Sequence, residues 1–409
     1  MMNSTKYKSV LMVLVVVLLV ACSSEETPVG LTVRDGQFYK DGQPVRAIGI
    51  NYFSAFFRKL GMEGGEPNLE DRSYREGFET LRRYEIPFIR FCAGGFFPNE
   101  WTSYQNDKEA YFKAFDQLVA DAEELDLGLI PSFFWFYSTV PDLVGEPLDQ
   151  WGNPQSKTHA FMRQYTAEVV SRYRDSPAIW GWEFGNEYLH EADLPQPEFG
   201  RGWVVPEFGT PTERTERDKM YRKNIWVAYQ AFVDTIREID PSRPIFSGDV
   251  MPRPSSFHNW KDATWEVDSR EEWSLIFLKD NEAMSALSTH LYYYSTEDEL
   301  QDAGFSGYGP EEQVSFMMEI AQGAGKPLFI GEFGPAPKEK TLNEERRQFE
   351  ILLDLMVLHE VPLSTLWNFD FEHENQVHFN ITESNHRTYM LGALQEANRK
   401  IRKHMGLEK

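Results

Sequence analysis

Cysteine is almost absent from this chain: Cys22 and Cys92 are the only two among 409 residues, so at most one disulfide is available and no cystine framework organises the fold. Positive charge is scarce as well. Forty-one Lys and Arg stand against 64 Asp and Glu, a formal net charge of −23. That balance argues against nucleic acid as a partner, since phosphate binding needs clustered Lys and Arg. No Gly-x-Gly-x-x-Gly follows the first strand-like run and no His-Glu-x-x-His occurs, which removes the dinucleotide fingerprint and the metalloprotease signature. No internal repeat of solenoid or propeller period is present. The one long apolar run is Leu11–Val20, short for a membrane span.

What is present begins with that run. Lys6 and Lys8 precede it, and Leu19-Val20-Ala21-Cys22 and the polar Ser23-Ser24-Glu25-Glu26 follow. This is the layout of an export signal rather than of a structural helix. The tetrad ending in Cys22 resembles a bacterial lipobox. The resemblance implies a signal peptide over 1–21, lipid attachment at Cys22, a linker over 22–30 and a domain over 31–409 tethered to a membrane. Ser23 and the acidic residues after it resemble an outer-membrane or surface address. Cys92 would then be the only free thiol, and a lone apolar-flanked thiol reads as packing.

The remaining chain is rich enough in apolar residues (41%, with 30 Phe, 18 Tyr and 11 Trp) to build a large core. Two Asp-Gly turns, at Asp35-Gly36 and Asp41-Gly42, predict an N-terminal β-hairpin. From Val45 onward short apolar runs alternate with longer helical patterns. Strands are expected at Val45–Asn51, Ile86–Phe91, Gly128–Phe134, Ile179–Glu187, Pro244–Gly248, Ser285–Leu291, Pro327–Glu332 and Leu363–Asn368. Helices are expected between them, including one over Glu213–Ile239. Eight such units predict an α/β fold, a (β/α)8 TIM barrel whose hairpin closes one end. Two Pro-, Gly- or Trp-rich inserts, Tyr188 to about Thr215 and Met251 to about Arg270, follow strands and form long loops on the C-terminal face.

In such a barrel the C-terminal strand ends carry the chemistry. Those ends are polar here: Asn51, Arg90, Asn186-Glu187, Asp249, His290, Tyr292, Glu332 and Trp367-Asn368. Asn-Glu alone says little, since it recurs at Asn99-Glu100, Asn281-Glu282 and Asn343-Glu344. Glu-Phe-Gly is equally common, at Glu183, Glu198, Glu207 and Glu332. Only Glu187 and Glu332 both close an apolar strand and open a loop. Two carboxylates on different strand ends are the minimum for cleaving a glycosidic bond, one to protonate the leaving oxygen and one to attack.

Asn-Glu after the fourth strand, His-x-Tyr after the sixth, Glu after the seventh, Arg on the second and Trp on the eighth together resemble clan A, glycoside hydrolase family 5, the cellulase and mannanase family. The resemblance spans Val45 to Asn368. It implies a retaining hydrolase of β-linked glycans with Glu187 as acid/base and Glu332 as nucleophile. It further implies that Asn186 binds the sugar 2-hydroxyl, Tyr292 hydrogen-bonds Glu332, His290 and Arg90 support the site, and Trp367 forms a floor. Arg90 has a second possible partner in Glu183. Asn51 and Asp249 receive no role, and the tryptophans Trp135, Trp203, Trp260 and Trp265 stand equally between packing and sugar contact.

Many cellulases of this family end the third strand in His, whereas this chain reads Phe133-Phe134-Trp135-Phe136-Tyr137, closer to mannanases. The expected substrate is therefore β-1,4-mannan, with an endo-β-1,4-glucanase or an exo-β-glycosidase as the alternatives. Proton transfer and a carboxylate nucleophile need no metal and no organic cofactor. A metal-dependent barrel hydrolase lacks its first-strand His-x-His, and His373 and His378 are a weak substitute. A non-catalytic surface glycan-binding lipoprotein is the remaining rival. The expected partners are a β-glycan and a membrane, for a monomer that does not bind nucleic acid.

Overall fold

In the computed structural model of the protein, the described residues are 29–192, 202–293, 308–335, 340–373 and 376–407. The expected signal peptide, Cys22 and most of the linker lie outside them. Three short antiparallel strands come first: β1 (Leu31–Arg34), β2 (Gln37–Lys40) and β3 (Gln43–Pro44). Both Asp-Gly turns have positive φ at both residues, 51° and 71° at Asp35-Gly36 and 52° and 76° at Asp41-Gly42. This twist favours tight hairpins. The second turn adds β3, so the expected hairpin is a three-stranded sheet.

Eight parallel strands follow: β4 (Ala47–Asn51), β5 (Phe88–Cys92), β6 (Gly128–Phe134), β7 (Trp182–Gly185), β8 (Ile245–Phe246), β9 (Leu287–Tyr292), β10 (Leu328–Gly334) and β11 (Leu363–Leu366). Their order around the sheet is β8-β7-β6-β5-β4-β11-β10-β9. The seam between β8 and β9 is bridged at Ser285, whose N–H donates to the Ile245 carbonyl (2.9 Å) and whose hydroxyl accepts from the Ile245 N–H (3.0 Å). The chain is thus a (β/α)8 barrel with helices outside it, as expected.

Side chains alternate along each strand, outward ones packing on helices and inward ones filling the barrel. The inward residues nearest the N-terminal ends are apolar: Ala47, Phe88, Ile130, Phe246, Phe329 and Leu363, and Trp180 stacks on Phe88 at 5.0 Å. Leu31 and Phe38 of the small sheet cover this layer, with Phe38 6.0 Å from Phe246. Towards the C-terminal ends the filling turns polar with Asn51, Arg90, Ser132, Glu183 and Glu332, all buried. The barrel is apolar below and charged above.

The helix expected over Glu213–Ile239 begins later, at Arg222, and runs to Arg237. Upstream, Thr215 and Asp218 form a reciprocal capping box around a single turn, and Lys219 and Tyr221 are extended. Local capping therefore competes with helix continuation there. Cys92 is fully buried, its Sγ donating to the Gly94 carbonyl at 3.1 Å, and burial pushes the thiol well up. That is packing, as expected. Among the described residues no helix is long and apolar enough to cross a membrane.

Phe38→Ala removes a fully buried ring from the layer that closes the barrel floor. The variant is expected to lose about 3–5 kcal/mol of stability, read as a lower denaturant midpoint at unchanged slope.

Candidate active site

Glu332 reaches the barrel interior through an irregularity in β10. Pairing with β9 shifts register between Ile330 and Glu332, and pairing with β11 shifts between Ile330 and Phe333. Phe329 points in and Ile330 out, so strict alternation would put residue 331 inside and 332 outside. The bulge at Gly331 reverses this, turning Glu332 inward and Phe333 out among the helices. The Gly331 carbonyl, freed from the ladder, accepts Asn51 Nδ2 (2.9 Å) and the Thr365 hydroxyl. A Cβ at residue 331 would lie 3.1 Å from His290 Nε2, so glycine also makes room for the imidazole.

Glu187 is set by a different device. It lies just past β7 with φ = 54°, its N–H donating to the Gly248 carbonyl at 3.0 Å. Gly248 itself has φ = 75° and passes so close to β7 that a Cβ there would meet the Gly185 carbonyl at 1.9 Å. Beyond Glu187 the chain turns into a short helix, Tyr188–Ala192. Asp249, which received no role from the sequence, accepts the Leu189 N–H (2.8 Å) and the Tyr229 hydroxyl. Burial pushes its carboxyl up to about 8. Asp249 therefore ties the turn that carries Glu187 to the neighbouring strand end.

Arg90 joins the pieces. Its side chain is fully buried. Nε donates to both Glu183 oxygens (2.8 and 3.0 Å), Nη1 to Glu332 Oε1 (2.8 Å) and Asn51 Oδ1 (3.1 Å), and Nη2 to Asn186 Oδ1 (2.7 Å). The guanidinium also faces Trp135 at 4.4 Å from the ring centroid. Both readings of Arg90 hold at once, because it pairs with Glu183 and with Glu332.

The other expected residues converge on the same spot. Tyr292 donates its hydroxyl to Glu332 Oε2 at 2.6 Å. His290 Nδ1 lies 2.8 Å from Glu187 Oε1 and 3.6 Å from Glu332 Oε2. One ligand atom each from Glu187, His290 and Glu332 lie within 4.8 Å of one another. Trp367 sits at the end of β11, its indole N–H donating to Gln376 Oε1 (2.9 Å) and its ring 5.9 Å from Trp135. Glu187, Glu332, Arg90, Asn186, His290, Tyr292 and Trp367 thus form one constellation at the barrel mouth. Asn51, Trp135 and Gln376 belong to it as well. Asn51 and Trp135 were visible as strand-end residues; Gln376 lies in a polar loop with no such signal.

Burial pushes the Glu187 carboxyl above its ordinary value. Burial pushes Glu332 up too, but Arg90 and the Tyr292 hydroxyl oppose this by favouring its charged form. The side chain of Glu187 is one-third exposed (33%), and that of Glu332 is nearly closed off at 5%. Burial lowers His290 to about 3, so the imidazole is neutral. Burial thus raises both carboxyls, and Glu332 is the one that receives the Arg90 and Tyr292 hydrogen bonds that favour its charged form. Glu187, His290 and Glu332 are a conceivable cation-binding set, yet both Glu332 oxygens already accept hydrogen bonds and the Arg90 charge adjoins them.

The same geometry accounts for the look-alike sequences. Glu344 closes a capping box with Thr341, Glu100 accepts the Phe96, Phe97 and Glu63 N–H groups, and Asn281 accepts the Ser288 N–H. Glu183 is the inner partner of Arg90, and Glu198 lies outside the described residues.

Replacing Arg90 by Met leaves Glu183 and Glu332 buried without their cation. The expected cost is about 3–5 kcal/mol at neutral pH. Both folded-state carboxyl pKa values then rise further above their unfolded values, so the folded variant binds more protons. The deficit relative to wild type is therefore expected to grow as pH rises and to shrink in acid, measured by urea denaturation across pH.

Comparison with known proteins bears on the family and the fold. The family model "Cellulase (glycosyl hydrolase family 5)" matches residues 39–371. A probable mannan endo-1,4-beta-mannosidase F from Aspergillus flavus is 35% identical over 92 residues, 21% of this chain and only 20% of that protein's length. Among solved structures, the endo-1,4-beta-mannanase of Rhizomucor miehei superposes with a TM-score of 0.61 at 16% identity, covering 91% of this chain and 99% of that one. A glycoside hydrolase family 5 mannosidase from the same organism gives 0.59 at 12% identity, covering 92% and 99%. With its family model matched over most of its length and its (β/α)8 fold shared with these structures, the chain belongs to glycosyl hydrolase family 5.

Proposed function

We propose that the protein hydrolyses β-1,4-linked mannan by a retaining double displacement, with Glu332 as nucleophile and Glu187 as acid/base. The observation that carries this reading is the approach of the two carboxyls, with oxygens within 4.8 Å of each other. Retaining enzymes hold their carboxyls about 5–5.5 Å apart, whereas inverting ones leave about 6.5–9.5 Å for a water molecule.

In the first step a Glu332 oxygen bonds to the anomeric carbon while the bond to the leaving sugar breaks. Glu187 gives its proton to the departing oxygen. In the second step Glu187, now a carboxylate, takes a proton from water as the water oxygen attacks the anomeric carbon, and Glu332 is released ionised. Arg90 and Tyr292 keep Glu332 charged before attack and receive it again afterwards. Arg90 holds the Asn186 carboxamide by its oxygen. The Asn186 NH2 group is thereby left to donate to the sugar 2-hydroxyl, and Trp367 supplies an apolar floor.

Mannan is favoured over cellulose by the aromatic end of the third barrel strand and by the names of the similar proteins. Endo action follows the endo-mannanases among them; the mannosidase among the structural neighbours keeps exo cleavage as the alternative. Wild-type protein is expected to release a ladder of oligosaccharides from β-mannan faster than from soluble cellulose derivatives. A single monosaccharide product would establish exo action, and preferential cleavage of cellulose derivatives would overturn the substrate assignment. Glu332→Ala is expected to lower kcat by on the order of 10⁴-fold or more, and unimpaired turnover would remove it as nucleophile.

Activity requires Glu332 ionised and Glu187 protonated, giving a bell-shaped pH profile. Tyr292→Phe deletes a hydrogen bond that favours the charged Glu332, so its pKa rises. The acid limb of kcat/KM is expected to move to higher pH in this variant, and an unmoved limb would contradict the assignment.

Lipid attachment at Cys22 is part of the same proposal, supported by the Leu19–Cys22 tetrad. Fractionation of cells expressing the full chain is expected to find the wild type in membranes and Cys22→Ser in the soluble fraction.

A further inference from the structure

Trp203 is 55% exposed, yet it is not loosely held. Its carbonyl accepts a hydrogen bond from Arg214 Nη2 at 2.8 Å, and Arg214 is locked in a two-point ion pair with Asp142 (2.6 and 2.8 Å). Both side chains of that pair are buried, 4% and 1% exposed. Gly202, at φ = 79°, lets the backbone run against the guanidinium, where a Cβ would come within 3.3 Å. The indole rests on Phe136 (5.1 Å) and Phe96 (6.4 Å), themselves stacked at 4.7 Å and nearly parallel. Glu100 fixes that stack from below by accepting the Phe96 and Phe97 N–H groups, each at 2.7 Å. A buried ion pair and an ordered aromatic base thus present a large apolar ring to solvent. Core packing does not explain this.

The ring is also continuous with the active site. Packed rings lead from Trp367 to the buried Phe53 (6.2 Å), from Phe53 to Phe96 (6.4 Å) and from Phe96 to Trp203 (6.4 Å). These side chains come from the ends of β11, β4 and β5 and from the insert after β7, so they occupy one side of the barrel mouth. Trp260 and Trp265, the other exposed tryptophans, belong to the separate insert after β8.

We infer that Trp203 is a distal sugar-binding platform, stacking on a residue of the β-glycan chain as it runs outward from Trp367 on this side of the barrel mouth. The inference rests on the proposed glycan hydrolysis and adds to it a specific subsite remote from the cleaved bond. An indole face matches the C–H face of a pyranose ring, and rigidity matters because an anchored ring loses little conformational freedom on binding. A subsite of this kind is felt only by substrates long enough to reach it.

The test compares kcat/KM on a manno-hexaose with that on an aryl β-mannobioside. Trp203→Ala is expected to lower the long-to-short ratio roughly tenfold, with Trp203→Phe restoring most of it. Trp265→Ala, on the other insert, is expected to keep the wild-type ratio. Equal losses on both substrates, or an unchanged ratio in Trp203→Ala, would overturn the subsite. Thermal unfolding of the variants separates misfolding from lost contact. If wild type cleaves no β-glycan, the proposed function itself fails. The platform is then judged by retardation of the Glu332→Gln chain in glucomannan gels, which Trp203→Ala must weaken for the inference to stand.

Discussion

Arg90 is the point on which the site turns. One cation, wholly enclosed, holds Glu183 behind it, Glu332 beside it, and Asn51 and Asn186 on its flanks, with Trp135 over its face. A guanidinium suits this task because its donors leave in fixed directions and its charge is never lost. An isolated carboxylate at Glu332's depth would take up a proton. Arg90 makes an ionised Glu332 tolerable without opening it to water, and Glu183 keeps the guanidinium from depending on Glu332 alone.

That network can exist only because the barrel interior is divided. Below it, Phe88, Ile130, Phe246, Phe329 and Trp180 form an apolar plug covered by Leu31 and Phe38. Without such closure, water entering from the floor would screen the charges that set the carboxyls apart. The small N-terminal sheet thus covers the apolar floor beneath the site. At the open end two backbone devices aim the carboxyls. A bulge at Gly331 swings Glu332 inward, and a positive-φ turn tied to Gly248 and Asp249 delivers Glu187 from the opposite side.

Much of this was legible in the chain. All eight strands form where alternation and flanking turns place them, since burial on two faces requires short, nearly continuous apolar runs. Glu187 and Glu332 were distinguishable from their many look-alikes by position at strand ends. Among the look-alikes, Glu344 caps a helix, Glu100 staples a loop, Glu282 pairs with Lys279 on the surface and Glu183 is the inner partner of Arg90. Less was readable wherever local rules compete. The capping box at Thr215–Asp218 displaced a helix start, and Asp249 and Asn51 were polar strand ends without visible partners. Gln376 carried no pattern at all. Trp203 was undecidable because exposure belongs to the folded surface and not to the residue type.

The sequence by itself determined the number and order of strands, the parallel barrel they form, and which two carboxylates end on its rim. Periodicity and turn chemistry are local, so they survive in a one-dimensional reading. Only the tertiary structure decided that Arg90 serves both Glu183 and Glu332, that Gly331 reverses the pleat to aim Glu332, and that the carboxyls approach within 4.8 Å. Those outcomes depend on residues far apart in the chain meeting in a space of low polarity. Charge, distance and exclusion of water have no meaning there until the barrel is closed.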